Sequence, residues 1–360
     1  MDFNLSSEQE LLRDGLSKFL AARYDLERSR TAAKTGAGWQ PEVWRAFAEK
    51  LGILGAPLPE SAGGSGGGPV EAMVIAEELG RALVTEPFVD TVVVAGGLLA
   101  RAGSDSAQAV LEQIGAGTAI VATSLDPLSA NAVRDGEDWV LSGSPAVVMN
   151  APIATHLLIA ARTGESVGLF LTDASVPMHG YRTIDDRRAA DLTLDGLRLP
   201  AGALIDADAE PSLEQARDEG AAAVCAEAVG AMRRVLADTV DYCKQRQQFG
   251  QPIGSFQVLQ HRMVDMYMEL EQAVSAVYLA VLNLGADAHA RARAVSAAKA
   301  TVGRAARFVG QNAVQLHGGM GMTEELAIGH YFKRLTAVQY EYGSTDLHRT
   351  RYATLTRPRN

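Results

Sequence analysis

The chain has 360 residues, of which 47% are hydrophobic and 21% charged. This composition supplies apolar side chains for two or three packed domains and argues against intrinsic disorder. The formal net charge of −10 argues against general binding to nucleic acid or to anionic membranes, because both require an excess of Lys and Arg. No two of the seven histidines stand at HxH or HxxxH spacing, so no metal site is predicted.

The two cysteines and the N-terminal residues bear on the cellular compartment. Cys225 and Cys243 lie on what reads as a single helix, which would hold them roughly 27 Å apart, beyond the reach of a disulfide. We expect two reduced thiols, as is typical of a cytoplasmic protein. Residues 1–20 are amphipathic and acidic and predict no signal peptide. No uninterrupted apolar stretch is long enough to span a membrane.

The first third of the chain predicts helices. Residues 5–33 read as a helix with Ser6 or Ser7 as its N-cap, because leucines recur at three- and four-residue spacing. A second amphipathic stretch follows Trp39. Residues 57–68 are rich in glycine and predict a loop. Further helical patterns cover residues 70–83, 91–101 and 107–115.

From about residue 118 the pattern changes. Short apolar runs (AIVATS, WVLSG, HLLIAAR, VGLFLTD and DLTLDGLRL) are separated by glycine and Asp-Gly turns, which is typical of an antiparallel β domain. Beyond residue 204, long alanine-rich helical patterns return at residues 212–284 and 291–314. The sequence therefore predicts an α+β fold with a helical, a β and a second helical domain, at residues 1–117, 118–208 and 209–360.

A turn after a predicted helix carries the first candidate site. It reads Arg246-Gln-Gln-Phe249-Gly250, and a second helix is predicted to start at Ser255. The guanidinium of Arg246 is a permanently charged fork that suits a phosphate, and Phe249 offers a flat surface for a ring. An ordinary helix–turn–helix corner with a surface arginine explains the same spacing equally well.

A glycine cluster is the second candidate. The segment Gln315-Leu-His-Gly318-Gly319-Met-Gly321 ends a predicted helix with glycines, which let backbone amides approach a pyrophosphate or a ribose closely. A glycine C-cap followed by a tight turn is the simpler interpretation of the same residues.

Together, in this order and at this separation, the two segments resemble the acyl-CoA dehydrogenase family. The family's RxxFGxPI…FQ segment corresponds to residues 246–257 and its QxxGGxG segment to residues 315–321. Residues 3–9, residues 227–232 and the glycine-rich loop before residue 70 are also similar. The resemblance covers essentially the whole chain. It implies an acyl-CoA dehydrogenase-like fold with an N-terminal helical domain, a central β domain and a C-terminal four-helix bundle.

The resemblance implies FAD bound at a dimer interface. In this family the C-terminal helices of one subunit hold the adenosine diphosphate end of the FAD whose flavin ring lies in the neighbouring subunit's site. Arg246 is implied to pair with pyrophosphate oxygens. The residues implied to surround the adenosine end are Gln248, Phe249 and Gln257 from the first segment, and Gln315, Gly318 and Gly319 from the second.

The position of the catalytic base departs from the family pattern. Dehydrogenation needs a carboxylate to remove the proton alpha to the thioester carbonyl while hydride leaves the beta carbon for the flavin. Most members use the glutamate of a Tyr-Glu-Gly-Thr segment; that slot here holds Tyr342, and Glu341 precedes it. Other members place the glutamate on the helix before the arginine, where this chain has Gly220 preceded by Glu219. Glu341, moved by a one-residue local shift, is the candidate base.

The β segments expected beside the flavin also depart from the family. The Thr-Glu-Pro…Gly-Ser-Asp loop is shortened to a segment that starts at Thr123. The Trp-Ile-Thr/Ser segment becomes Val147-Val-Met149, followed by Asn150. Aliphatic and thioether groups thus replace an indole and a hydroxyl, and they cannot donate conventional hydrogen bonds.

All these losses fall at the flavin of the chain's own site, whereas the residues that are kept would serve a neighbour's FAD. The leading hypothesis is a heteromer in which this chain grips FAD for a competent second acyl-CoA dehydrogenase subunit and is itself catalytically degenerate. A self-sufficient homomer that uses Glu341 is the main alternative. A different flavin reaction on the same fold and a non-enzymatic scaffold that binds no flavin also stay open.

Two further segments indicate a branch of the family. Residues 1–6 and 329–336 are similar to the small subunits of pimeloyl-CoA dehydrogenases, which belong to a branch with paired, unequal subunits. This resemblance implies a heterotetramer that oxidises an acyl-CoA to its 2,3-enoyl form in lipid degradation. It further implies that an electron-transferring flavoprotein accepts the electrons.

Overall fold

The computed structural model describes residues 4–35 and 38–357, so residues 1–3 of the family-like opening lie outside it. The helices before the strands are α1 (Ser7–Arg23), α2 (Leu26–Lys34), α3 (Pro41–Glu49), α4 (Pro69–Arg81), a π-helix (Phe88–Ala95), α5 (Gly96–Ala102) and α6 (Asp105–Gly115). The strands that follow are β1 (Val121–Ser124), β2 (Ala130–Asp135), β3 (Asp138–Gly143), β4 (Val148–Met149), β5 (His156–Thr163), β6 (Ser166–Asp173), β7 (Met178–Arg182), β8 (Arg188–Leu192), β9 (Leu194–Leu199) and β10 (Leu204–Asp206). The last elements are α7 (Glu210–Gln245), the hairpin strands β11 (Gln247–Gln248) and β12 (Gln251–Pro252), and the helices α8 (Gln257–Leu282), α9 (Ala288–His317), α10 (Ile328–Ala337) and α11 (Thr345–Thr356).

This order of helical, β and helical segments confirms the predicted α+β class. The chain folds into two compact units: residues 1–26, 73–84 and 221–360 make the first, and residues 27–72 and 85–220 make the second. The boundaries predicted at residues 117 and 208 mark changes of secondary structure, and as domain boundaries they stay a prediction.

The first helix begins at the predicted cap but ends earlier than predicted. The Ser6 side chain accepts a hydrogen bond from the Gln9 backbone, and the Gln9 side chain accepts one from the Ser6 backbone. This reciprocal capping box satisfies two backbone donors that the first turn leaves without partners. The prediction of one helix to residue 33 is wrong, because Tyr24 takes an extended conformation and separates α1 from α2.

In the second unit, most strands pair antiparallel, as expected. A seven-stranded sheet has the order β10-β6-β5-β2-β3-β9, and β1 joins it beside β5; β4, β8 and β7 form a separate sheet. The prediction of a wholly antiparallel domain is wrong around β5, which also pairs in parallel with β2 at Asn131–Arg162. Strands β1 and β5 run parallel from the Val121–His156 pair to the Ser124–Ile159 pair. The 31 residues between these strands supply the long crossover that a parallel pair requires.

In the first unit, two glycines let α4 and α7 approach each other. A Cβ atom added at Gly230 would lie 1.8 Å from the Glu77 carbonyl oxygen, and one added at Gly80 would lie 2.0 Å from the Glu227 carbonyl oxygen. No other residue type fits where helix backbones come so close. Residues 227–232, part of the family resemblance, therefore include a packing requirement that the sequence alone did not reveal.

Both cysteines of this unit lie on α7 and are buried and free, as predicted. Burial raises the pKa of the Cys225 thiol to about 12. Among residues 4–35 and 38–357 no helix has the length and apolar character needed to cross a membrane.

Candidate cofactor-binding site

The first candidate segment is a short hairpin at the C-terminal end of α7. Residues Phe249 and Gly250 form its tip with φ angles of 54° and 80°. The backbone N–H of Arg246 donates to the carbonyl oxygen of Tyr242, one helical turn earlier, and the Arg246 carbonyl accepts from the N–H of Ile253, the residue after the returning strand. These two bonds fix the backbone of Arg246 between a rigid helix and the hairpin. A short 3₁₀ turn precedes α8, which starts two residues after the predicted Ser255.

The side chains of this hairpin face solvent in the isolated chain. Phe249 is 91% exposed, and its ring meets that of Phe256 edge-on, at a centroid distance of 6.1 Å. Exposure of a large apolar side chain to solvent is unfavourable, and so is a positive φ for a residue other than glycine. Such features persist where a ligand or a partner covers them.

The second candidate segment follows the C-terminus of α9. Gly318 has a φ of 59°, which favours glycine on backbone grounds. Gly321 is required by packing, because a Cβ atom there would lie 2.7 Å from the Val314 carbonyl oxygen. At Gly319 neither reason applies: its φ is not positive, and an added Cβ would meet nothing within 4 Å. A glycine at this position leaves the backbone open to a group from outside the chain.

Two aromatic rings join the two segments. Tyr242 on the last turns of α7 stacks on His317, the last residue of α9, with ring centroids 4.3 Å apart and an interplanar angle of 26°. The Tyr242 hydroxyl donates to the His317 carbonyl oxygen at 3.3 Å. The structure therefore places the two segments side by side within the first unit.

The residues implied to bind FAD share two properties. They lie in these two joined segments, and every one of them is solvent-exposed: Arg246, Gln248, Phe249, Gln257, Gln315, Gly318 and Gly319. The set combines a guanidinium, three side-chain amides, an aromatic face and open glycine backbone. These groups fit a diphosphate with an attached ring system, since arginine and backbone N–H groups bind phosphate and an aromatic face stacks on a base. The FAD assignment of each residue stays a prediction.

The candidate base Glu341 lies in a buried ion cluster. The Arg334 guanidinium on α10 donates to both oxygens of Glu227 at 2.7 and 2.9 Å and to the Glu341 Oε2 atom at 2.8 Å. The side chains of Arg334 and Glu227 are 3% and 4% exposed, and that of Glu341 is 19% exposed. Both Glu341 oxygens accept hydrogen bonds from Arg334, so the carboxylate is held by an internal cation.

The loop that follows α10 is held by a buried lysine. The Nζ atom of Lys299 donates to the carbonyl oxygens of Val338 at 2.8 Å and Gly343 at 2.9 Å, on either side of Glu341. Lys299 is fully buried, and burial lowers the pKa of its ammonium group. Tyr342, in the slot of the family's base, has a φ of 53°, and its carbonyl oxygen lies 2.9 Å from the His348 Nε2 atom. The conformation of this loop is therefore set by buried polar contacts.

Beside the other slot for a base, the carboxylate of Glu219 is held in an ion pair. In the second unit, Arg101 Nη1 donates to the two oxygens of Glu219 at 2.9 and 3.1 Å, and the Gln215 amide donates to the same carboxylate. Gly220 offers no acid. The aliphatic segment near residue 147 is partly exposed: Val147 is 59% exposed and has a φ of 55°.

Sequence reasoning assigned no individual role to four residues of this region: Tyr242, Glu227, Lys299 and Arg334. A charged residue inside an apolar helical stripe was the available signal for Lys299, which stands among alanines and valines of α9. Arg334 likewise lies on the buried face of α10 beside Tyr331 and Leu335. No group of three or more potential metal ligands occurs in the described parts of the chain.

Comparisons with known proteins identify the family of the chain. A family model described as the acyl-CoA dehydrogenase C-terminal domain matches residues 213–354, and one described as the N-terminal domain matches residues 6–118. An acyl-CoA dehydrogenase named IpdE2 from Mycolicibacterium smegmatis is 31% identical over 92% of this chain and 93% of its own length. IpdE2 from Mycobacterium tuberculosis is 32% identical over 91% and 90%.

Two solved structures show the same fold. The ChsE4–ChsE5 complex from Mycobacterium tuberculosis aligns with a TM-score of 0.93 at 25% identity and covers 100% of both chains. A variant of a steroid acyl-CoA dehydrogenase named Tcur3481–Tcur3483 aligns with a TM-score of 0.88 at 29% identity over 97% of each chain.

Proposed function

Because the chain belongs to the acyl-CoA dehydrogenase family, we propose that it is the FAD-gripping subunit of a heteromeric enzyme that oxidises an acyl-CoA to its 2,3-enoyl form. The observation that carries this proposal is a contrast. The predicted cofactor residues form one exposed surface, whereas the carboxylates nearest to both slots for a base are held by Arg334 and Arg101.

The proposed roles follow from the chemistry of each group. Arg246 pairs with the pyrophosphate, since its fork matches two phosphate oxygens. Phe249 and the amides of Gln248 and Gln257 cover the adenosine end, and Gln315 and the backbone at Gly318 and Gly319 approach from the second segment. When bound, FAD accepts the hydride that leaves the substrate. The chain's own contribution is to hold and orient the cofactor for a neighbouring site.

The proton at the alpha carbon needs a base that this chain does not present. Tyr342 is a poor base near neutral pH, because an unperturbed tyrosine has a pKa of about 10. Glu341 would have to leave Arg334 before it could reach a substrate. We therefore assign the base to the partner, a second acyl-CoA dehydrogenase subunit. A homomer that uses Glu341 is the competing proposal, and the same experiments separate the two.

The relatives support the choice of a heteromer. One solved structure that aligns over the full chain is named as a complex, ChsE4–ChsE5, and another steroid acyl-CoA dehydrogenase carries the paired name Tcur3481–Tcur3483. The proposed substrates are the CoA thioesters of steroid side chains or dicarboxylic acids. The proposed electron acceptor is an electron-transferring flavoprotein. The buried free thiols support a reducing, cytoplasmic location.

Co-purification of the chain with such a partner tests whether these residues retain FAD. Arg246→Ala is expected to lower FAD retention of the complex by at least tenfold, since hydrogen bonds to charged groups contribute about 1.5–3 kcal/mol. Arg198→Ala is the matched control, because Arg198 is an exposed arginine that pairs with Asp135 and belongs to the second unit. Equal FAD retention in both variants would contradict the proposed role. A wild-type complex without any flavin would favour the scaffold hypothesis.

A further inference from the structure

The two cofactor-binding segments lie at the ends of helices that are distant in sequence, and the side chains of Tyr242 and His317 make a contact between these ends. Tyr242 lies one turn before Arg246, and His317 lies directly before Gly318. Their rings stack at 4.3 Å. Any displacement of one segment relative to the other must break or shift this stack.

Burial and a hydrogen bond hold the His317 ring in one orientation. The residue is 5% exposed, and its Nδ1 atom lies 2.9 Å from the Ala313 carbonyl oxygen. Since a carbonyl oxygen only accepts, Nδ1 carries a proton and donates, which fixes the ring against α9. Burial lowers the pKa of His317, so the ring that stacks on Tyr242 is neutral near pH 7.

Tyr242 connects to both segments through separate atoms. Its hydroxyl donates to the His317 carbonyl oxygen, which belongs to the last turn of α9, where helix carbonyls lack partners within the helix. Its own carbonyl oxygen accepts from the Arg246 N–H. A shift of Tyr242 therefore affects the Arg246 hairpin through the backbone, and it affects the glycine turn through the side chain.

We infer that Tyr242 and His317 form a positioning pair that sets the geometry of the Arg246 hairpin relative to the turn at Gly318–Met322, and thereby the affinity for the adenosine diphosphate end of FAD. Neither side chain is assigned a direct contact with the cofactor. The inference rests on the proposed function for its effect on FAD, and it makes a separate claim about the chain alone, namely that the two segments are mechanically coupled.

The test uses variants that remove the contact in steps. Tyr242→Leu removes both the ring and the hydroxyl, Tyr242→Phe keeps the stack, and His317→Gln removes the other ring. Tyr352→Leu, on the partly exposed face of α11, is the matched control. The first readout is hydrogen–deuterium exchange of the full chain at the backbone amides of residues 247–256 and 318–323. The second is the dissociation constant of FAD from the complex with the partner subunit.

Tyr242→Leu is expected to speed exchange in both segments, including the turn at Gly318, and to weaken FAD binding about two- to tenfold, since an aromatic pair contributes a factor of about that size. Tyr242→Phe should stay close to wild type in both exchange rate and FAD affinity. His317→Gln should speed exchange in the hairpin that carries Arg246. The control should match wild type. Faster exchange confined to the mutated segment would overturn the inference, as would weaker FAD binding with unchanged exchange.

Misfolding of a variant and a lack of FAD binding can each be distinguished from failure of the inference. If Tyr242→Leu does not fold, the cross-segment effect of His317→Gln and the partial effect of Tyr242→Phe decide the question. If wild type binds no FAD, the proposed function fails, while the exchange measurements still show whether the segments are coupled.

Discussion

The ion cluster around Arg334 makes a sharp prediction for stability. In wild type the Arg334 guanidinium donates to the oxygens of both Glu227 and Glu341, so Arg334→Met takes a shared counter-charge from two neighbouring carboxylates. Breaking a buried pair by removing one partner costs about 3–5 kcal/mol. Since a domain's whole stability is about 5–15 kcal/mol, this loss should be visible without ambiguity.

The assay is denaturation in urea at pH 7.5, followed by circular dichroism and compared at constant slope with denaturant. Arg198→Met is the matched control, because it breaks an exposed ion pair, with side chains 55% and 63% exposed. Exposed pairs contribute about 0–1 kcal/mol. Adding Glu227→Gln to Arg334→Met should recover part of the loss, since it removes the repulsion. A cost below about 1 kcal/mol for Arg334→Met would refute the view that this cluster anchors Glu341.

Three further predictions concern the hairpin, the helix crossing and pH. Phe249→Gly should stabilise the isolated chain by about 1 kcal/mol, since it relieves a positive φ, yet weaken FAD retention; a variant that is neutral for FAD would contradict the role of Phe249. Gly230→Ala should lower the free energy of unfolding by roughly 3 kcal/mol, because its Cβ would lie 1.8 Å from a carbonyl oxygen. Gly15→Ala, at an exposed position of α1, should raise it by about 0.5–1 kcal/mol. Equal melting temperatures of the two variants would refute this prediction. Because burial lowers the pKa of His317, the unfolded chain binds more protons than the folded chain below about pH 6.5, and the free energy of unfolding falls on acidification. His317→Gln should therefore make the urea midpoint fall less steeply between about pH 7 and 5. An unchanged pH dependence of the midpoint would count against this cause.

Local chemistry made much of the fold predictable from the sequence. The capping box at Ser6, the amphipathic helices and the glycine loop each depend on residues within one or two turns of one another. The two cofactor segments are equally local, since each is a helix end with its following turn. Strands β2 and β7 were missed because their side chains are mostly polar or exposed, so they lack the apolar run that marks a strand.

Long-range contacts account for the rest. Glu227 and Arg334 are 107 residues apart, and no pattern within either helix reveals that they meet. The same holds for Tyr242 and His317, which are 75 residues apart, and for the parallel pairing of β1 with β5. Glu341 could be proposed as a base from its place in the chain, and Arg334 stands only seven residues before it. The loop that carries Glu341, however, is held by the distant Lys299 on α9.

The flavin content of the chain, purified alone and together with its partner subunit, tests the central claim most directly. The account predicts no retained flavin in the chain alone and one FAD per pair in the complex, with turnover that survives Glu341→Gln. One FAD per chain in the isolated protein, bleached by an acyl-CoA and no longer bleached after Glu341→Gln, would contradict it.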